Sequence, residues 1–325
     1  MKKSTIILLI IAVALIAAGV LLCLVGMMLS AGGFQWEKGE ISLGNKDMVT
    51  KEYEISETFS EIDVLVHTTD VEFVLATDGV TKVICREDAR EPHEVFVEDG
   101  ALKIRLEEMP WYKKINLFSW GERRLTVHLA QNEWEKLSVK TDTGDVRASK
   151  ELVFESVDIC TSTGEVGFAP TVTGTLCITV DTGDVSVTSQ TLGIAEITAT
   201  TGDVTLMGVS ADEIRLQTTT GEIEASSVSC QSFMATSSTG EQEYERLIVD
   251  GALTLKASTG DISLDGCDAA EVKIETDTGD VEGRFLSAKV FYTSTDTGRV
   301  RVPKATSGGL CEITTDTGDI EFSEP

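Results

Sequence analysis

The chain has 325 residues, with 54 acidic against 27 basic side chains, a formal net charge of −27 and only three histidines. That balance repels the phosphates of nucleic acids and anionic lipids, which excludes nucleic-acid binding, and it attracts cations and basic partners. A fixed short repeat overrides the two or three globular domains that the length alone would suggest.

Lys2 and Lys3 open the chain, and no charge follows from Ser4 to Phe34; the apolar core of this stretch is Ile6 to Leu29. At about 1.5 Å per residue it reaches roughly 36 Å, enough to cross a hydrocarbon layer of about 30 Å. A transmembrane helix is therefore expected over residues 6–30, behind a cytoplasmic tail at 1–5 and ahead of an extracytoplasmic linker at 31–52. The run is longer than a signal-peptide core and no small-residue cleavage site follows, so the anchor is expected to stay. Lysines before the span and acids after it place the N-terminus in the cytoplasm and the rest outside. The expectation is a single-pass plasma-membrane protein that touches lipid through this helix.

Residues 53–136 read as irregular opening coils or a cap. Alternation in "EIDVLVHTTDVEF", "TKVICRE", "ALKIRLE" and "RLTVHLA" predicts strands. Thr69-Asp70-Val71 looks like the turn of the later repeats with its glycine deleted. Between two of the strands lies "MPWYKKINLFSW", residues 109–120, which gathers Trp111, Tyr112, Phe118 and Trp120 in a chain poor in aromatics. These rings are expected either to enter the membrane interface or a partner groove, or to cover the open end of the fold.

From 137 to 325 the motif "TDTGDV" returns with glycine at Gly144, Gly164, Gly183, Gly202, Gly221, Gly240, Gly260, Gly279, Gly298 and Gly318, spaced 19 or 20 residues apart. Counting the glycine as zero, positions −7, −5 and +2 are mostly aliphatic, as in Leu176, Ile178 and Val185. Period-2 alternation on both sides of a turn means strand, turn, strand. So small a unit cannot enclose a core alone, so the fold class expected is all-β: a β-solenoid, a parallel β-helix-like stack of 19–20-residue coils, preceded by one transmembrane helix. At about 4.8 Å per coil, ten coils make a rod on the order of 45 Å long. Pro170 and Pro303 fall five or six residues past a turn glycine, where a corner interrupts pairing. The glycine is expected for a backbone with positive φ and a close neighbour, and the threonine before it for hydroxyl bonds to turn amides. The last coil in the chain, ending at Ile320, Phe322 and Pro325, is expected to leave an open strand edge.

The six cysteines beyond Cys23 show no paired spacing, and the register sets none on another in adjacent coils; free thiols are expected. His67, His93 and His128 all precede the regular repeat, which rules out histidine-dependent catalysis inside the rod and makes a histidine zinc site unexpected. No phosphate-binding glycine motif occurs, and no cofactor is expected. Acidic columns do occur. Position +1 is Asp or Glu in every copy but Arg299, and position −2 adds further aspartates. Asp277, Asp280, Asp296, Asp316 and Asp319 are the candidate calcium ligands, set against the plainer reading of a solvated acidic face, with Arg299 taken to lie between Asp280 and Asp319 and neutralise both. Arg299 and Arg301 beside Asp296 are the one arrangement suggesting a polysaccharide-acting enzyme. A Thr-x-Thr face, as at Thr141/Thr143, is broken by Val180 and Ala199.

With the apolar span, "EIDVLVHTTDVEF", "RLTVHLA" and the serial "TDTGDV" turns, the chain resembles the bacterial putative-adhesin family, a domain of unknown function with β-strand repeats, over about residues 53 to 325. The resemblance implies a bacterial surface location and, in some members, association with envelope-stress or transmembrane regulatory systems. It supplies no catalytic residues. The function expected is a non-enzymatic cell-surface binding or scaffold module with a protein or glycan partner. The alternatives are an accessory of an envelope-stress system that docks a membrane partner, and the polysaccharide-acting enzyme.

Overall fold

A computed structural model describes residues 34–37, 40–43, 48–89, 91–106, 122–188 and 191–325. The described chain is all-β and winds as a β-solenoid; among the described residues no helix is long and apolar enough to cross a membrane. The span expected at residues 6–30 and the aromatic segment 109–120 lie outside the described residues.

A regular coil is a long strand, a glycine turn and a short strand: Val153–Thr163 turns at Gly164 into Val166–Phe168, and Thr171–Thr182 turns at Gly183 into Val185–Val187. From Ile223 onward the short strand runs on into the next long one, as in Ile223–Thr239. Coils pair in parallel, and position −7 aligns as Leu137, Val157, Leu176, Ala195, Ile214, Phe233, Leu253 and Val272. Those residues are buried, as are positions −5 and +2 from Val139 to Val281, so alternation correctly marked the inner face. Each aliphatic side chain sealed this way contributes roughly 1.5–3 kcal/mol. Gln242 interrupts the apolar +2 column yet is fully buried. Its polar atoms are satisfied there: the amide donates to Ser237 Oγ (2.8 Å) and the Lys256 carbonyl (2.7 Å), and Tyr244 donates its hydroxyl to Oε1 (2.8 Å).

Position −3 also faces inward. Thr141, Thr161, Thr218, Thr276 and Thr315 are buried while Thr143 and its equivalents are exposed, so Thr-x-Thr does not form one face. Some of these inner threonines, rather than the threonine before the glycine, make hydroxyl bonds to a turn. Thr218 Oγ1 donates to the carbonyl of Gly202 (3.3 Å) and Thr315 Oγ1 to that of Gly279 (3.4 Å), each tying one coil to its neighbour's turn.

The stack does not follow chain order at either end. Glu61–Leu65 lies between Glu133–Thr143 and Ala101–Leu106, and Asp70–Leu75 between Val146–Ala148 and Arg124–Leu129. The coil at 61–75 thus sits inside the coil made of 101–106 and 124–129, although it precedes it in sequence. Antiparallel strands Met48–Glu54, Lys82–Asp88 and His93–Glu98 close this end. Sheet structure therefore enters the segment read as a linker: Met48–Glu54 belongs to the cap, and Phe34–Glu37 pairs antiparallel with Glu40–Leu43. Thr68 opposes Thr143 and Val71 opposes Val146, so Thr69 occupies the glycine position; the residue is replaced, not deleted.

At the other end, Gly309–Thr317 pairs with Ile262–Thr278 on one side and with Lys289–Thr297 on the other. The spatial order of the turns is Gly279, Gly318, Gly298. This corrects the expectation for the open end: the last coil in the chain is interior, and the uncovered coil is the one before it. Phe322 fixes the insertion, with its ring stacked on Phe285 (centroids 5.1 Å apart) and tilted against Phe291 (5.4 Å). Gly283, opposite Phe322 in register, adds no side chain to crowd it.

Candidate functional site

The turn glycines are structural. At Gly202 φ is +139°, and a methyl group would overlap the carbonyl oxygen of Gly183 in the neighbouring coil. The same close approach recurs at all ten positions, from Gly144 against Thr69 to Gly298 against Gly318.

The acid after the glycine has a structural task as well. Asp145 Oδ1 accepts the backbone N–H of Glu165 (3.0 Å), Asp184 that of Asp203 (2.9 Å), Asp203 that of Glu222 (2.8 Å) and Asp261 that of Asp280 (2.8 Å). The ladder begins at Asp70, which accepts from Asp145 (3.1 Å). It also follows the reordered end, where Asp280 accepts from Asp319 (2.7 Å) and Asp319 from Arg299 (2.8 Å). Aspartate reaches the next coil's amide, and each such bond contributes about 1 kcal/mol or less at an exposed site. The cost of stacking like charges shows at Glu222, whose carboxyl is pushed up by partial burial and by the carboxylates of Glu243, Asp203, Glu241 and Glu224. Replacing Asp203 by Asn keeps the acceptor and removes a charge. Urea unfolding is therefore expected to place Asp203→Asn within about 0.5 kcal/mol of the wild type and Asp203→Ala about 1 kcal/mol below it. Equal losses in both variants would show that the charge, not the acceptor, is what the column needs.

Of the five candidate calcium ligands, Asp277, Asp316 and Asp296 follow one another along the exposed −2 column of the last three coils in space, and Asp280 and Asp319 along the +1 column. Asp277 and Asp316 line a shallow groove of about 420 Å³ with Thr276, Thr314 and Glu275. Glu275 is already paired with Lys256 and Lys273, both at 2.7 Å. Arg299 does not lie between Asp280 and Asp319: it caps the column, with its guanidinium on Asp319 (Nη2 to Oδ2 2.6 Å), and it holds that carboxyl below the usual range. Arg301 faces Glu321 at 3.6 Å. Both arginines are engaged by acids of the neighbouring coil on an open surface, and Asp296 is in neither pair.

The uncovered coil is the most distinctive surface. Among the described residues, Lys289–Thr297 pairs on one side only, so its outer edge presents free main-chain groups along "FYTST". Tyr292 is 63 % exposed and Val300 42 %. Beside them lies a groove of about 230 Å³ lined by Phe285, Phe291, Pro303, Lys304, Ser323 and Pro325, among others. Lys289 anchors the strand. Its ammonium is buried against the Asp268 carboxylate and donates to the Ala269 carbonyl (2.5 Å) and Ser287 Oγ (3.0 Å), 5.5 Å from the Phe285 ring centre. Burial pushes the Asp268 carboxyl up, but Lys289 and Ser287 outweigh it and the net direction is down. The sequence reading missed Lys289; its only signal was a cation at the first residue of a strand whose inward positions are weak.

The Toastrack DUF4097 family matches residues 59–246 and 226–325. The chain belongs to that family. The resemblance seen in the sequence is thereby confirmed, and the Toastrack chain has solved structural neighbours. A putative adhesin from Parabacteroides distasonis shares 16% identity at a TM-score of 0.52, covering 74% of this chain and 98% of that one. A putative adhesin from Parabacteroides merdae shares 16% at a TM-score of 0.50, covering 74% and 97%. At such identity the likeness shows the fold alone. No curated protein matches the chain.

Proposed function

We propose that this Toastrack protein is a non-enzymatic binding module of the bacterial cell surface, held on the plasma membrane by residues 6–30 with the solenoid outside. Its partner is a protein segment that adds as a strand to the free edge of Lys289–Thr297. The observation that carries this reading is the uncovered coil. Its edge is long, uncharged from Val290 to Thr295, and flanked by a groove of mixed lining, with Phe285, Phe291 and Pro303 on its apolar side, able to take a side chain of the added strand. Arg299 ends the aspartate ladder at this edge: its own amide is taken by Asp319, and it offers no carboxylate to the amide of a further turn.

Absence of catalysis is supported by the chemistry of the interior. Burial pushes the Cys85, Cys230 and Cys311 thiols up to about 12 and the Cys267 thiol to about 11, so these four are not thiolate nucleophiles at neutral pH. The six described cysteines are free, as the register required. The neighbouring putative adhesins are in keeping with a surface module.

The test is site-specific photo-crosslinking in cells, with the reactive residue at Tyr292 or, as a control on the flank of the rod, at Cys177. A discrete crosslinked partner at Tyr292 alone is expected. Equal capture at both positions, or none at Tyr292, would overturn the reading.

A further inference from the structure

The opposite end of the rod carries a buried cluster that the ladder and the binding edge do not use. Alternation along Lys82–Asp88 turns Val83, Cys85 and Glu87 inward. His93 opens the next strand and is also buried. A thiol, a carboxylate and an imidazole therefore meet, with one potential ligand atom from each lying within 4.8 Å of the other two. Glu87 Oε2 accepts both the backbone N–H of His93 (2.6 Å) and a hydrogen bond with its Nδ1 (2.7 Å). Glu87 Oε1 is fully buried without a hydrogen bond of good geometry and lies 2.7 Å from the ammonium of Lys51, on a side chain 41 % exposed. Among the described residues no hydrogen bond to Cys85 Sγ is seen. Thr69 Oγ1 stands 3.5 Å from His93 Nε2.

We propose that Cys85, Glu87 and His93 form a structural zinc site that clasps strand Lys82–Asp88 to strand His93–Glu98 and seals the cap. Sulfur, imidazole nitrogen and carboxylate oxygen are all donors that zinc takes, at bond lengths of about 2.0–2.3 Å, and a water molecule completes the tetrahedron. Ligand atoms of a tetrahedral ion stand somewhat over 3 Å apart, so closure draws the sulfur in and opens the close Glu87–His93 contact. One proton leaves, from the Cys85 thiol. The imidazole stays neutral, its proton moving from Nδ1 to Nε2, where Thr69 Oγ1 can accept it. The charges of the thiolate and Glu87 balance the ion, and Lys51 is released to solvent. The cluster escapes sequence reading because Cys85, Glu87 and His93 follow no zinc-motif spacing; only the turn after Asp88 folds the histidine back onto the strand.

The test uses the full chain, without affinity tag, purified in detergent and stripped of metal. Titration with zinc chloride against a chromophoric chelator is expected to show one equivalent bound with submicromolar affinity. Cobalt chloride in its place is expected to give a sulfur-to-metal charge-transfer band and the visible bands of a tetrahedral ion. Cys85→Ser is expected to abolish the charge-transfer band, and His93→Gln to weaken zinc binding on the order of 100-fold. The cobalt spectrum of the wild-type chain decides the matter even if the variants fold poorly: no thiolate band overturns the proposal. A band that survives in Cys85→Ser assigns the ion to another cysteine and overturns it equally.

Discussion

Ending the chain after Ala305 is expected to unfold residues 287–303 as well, although the cut removes none of them. Lys289–Thr297 pairs only with Gly309–Thr317 among the described residues, and Val300–Arg301 only with Ile320–Ser323. Without the last segment that coil has no sheet to lie on, and Phe291 loses the Phe322 ring. Amide hydrogen exchange should show protection lost across Lys289–Thr297. The melting temperature should equal that of a chain ended after Leu286, since both leave Val272, Ile274 and Val281 as the new exposed end of the core. Each of those side chains contributes roughly 1.5–3 kcal/mol when buried, so the loss relative to the intact chain is large. In a stack that followed chain order the 305-residue chain would keep its Gly298 coil. Persistent protection of Lys289–Thr297 in that chain would refute the interleaved end.

Gly202→Ala should cost on the order of 3 kcal/mol or more, and Gly208→Ala only about 1–2 kcal/mol. Both glycines have positive φ, +139° and +65°. They differ in space: a methyl group at Gly202 would overlap the backbone of Gly183, whereas at Gly208 nothing lies within 4 Å. Backbone on backbone cannot yield as a side-chain tip can, so relief at Gly202 requires parting two coils and their hydrogen bonds, among them Gly183 N–H to the Thr201 carbonyl (2.9 Å). Urea unfolding of the two variants measures the difference. Similar losses would mean that the dihedral angle, rather than the stacking distance, selects glycine at the turn.

These two effects divide what could be read in advance from what could not. Ten copies of a polar glycine turn, with aliphatic residues at −7, −5 and +2, are a local pattern with one economical solution, because a strand buried on one face alternates and a unit of 19 or 20 residues must borrow its core from its neighbours. The solenoid, its inner face, the crowded glycine and the free cysteines were therefore legible in residues such as Leu176, Ile178 and Gly183. The purpose of the acid was half legible: the column could be counted, but a hydrogen bond from Asp203 to the amide of Glu222 needs the coil spacing.

Stacking order lay beyond the sequence. One repeat pairs about as well with any other, so nothing local says that Gly318 lies between Gly279 and Gly298. Thr293 and Arg299 did mark the Gly298 coil as unusual, but their meaning depended on position in space. The Phe285–Phe322–Phe291 contacts and the buried Lys289–Asp268 pair decide that order. For the same reason the meeting of Cys85, Glu87 and His93 belongs to the tertiary structure, since it depends on how antiparallel strands fold back over the end of the core. Periodicity determines which way a side chain points; only long-range packing determines what it meets.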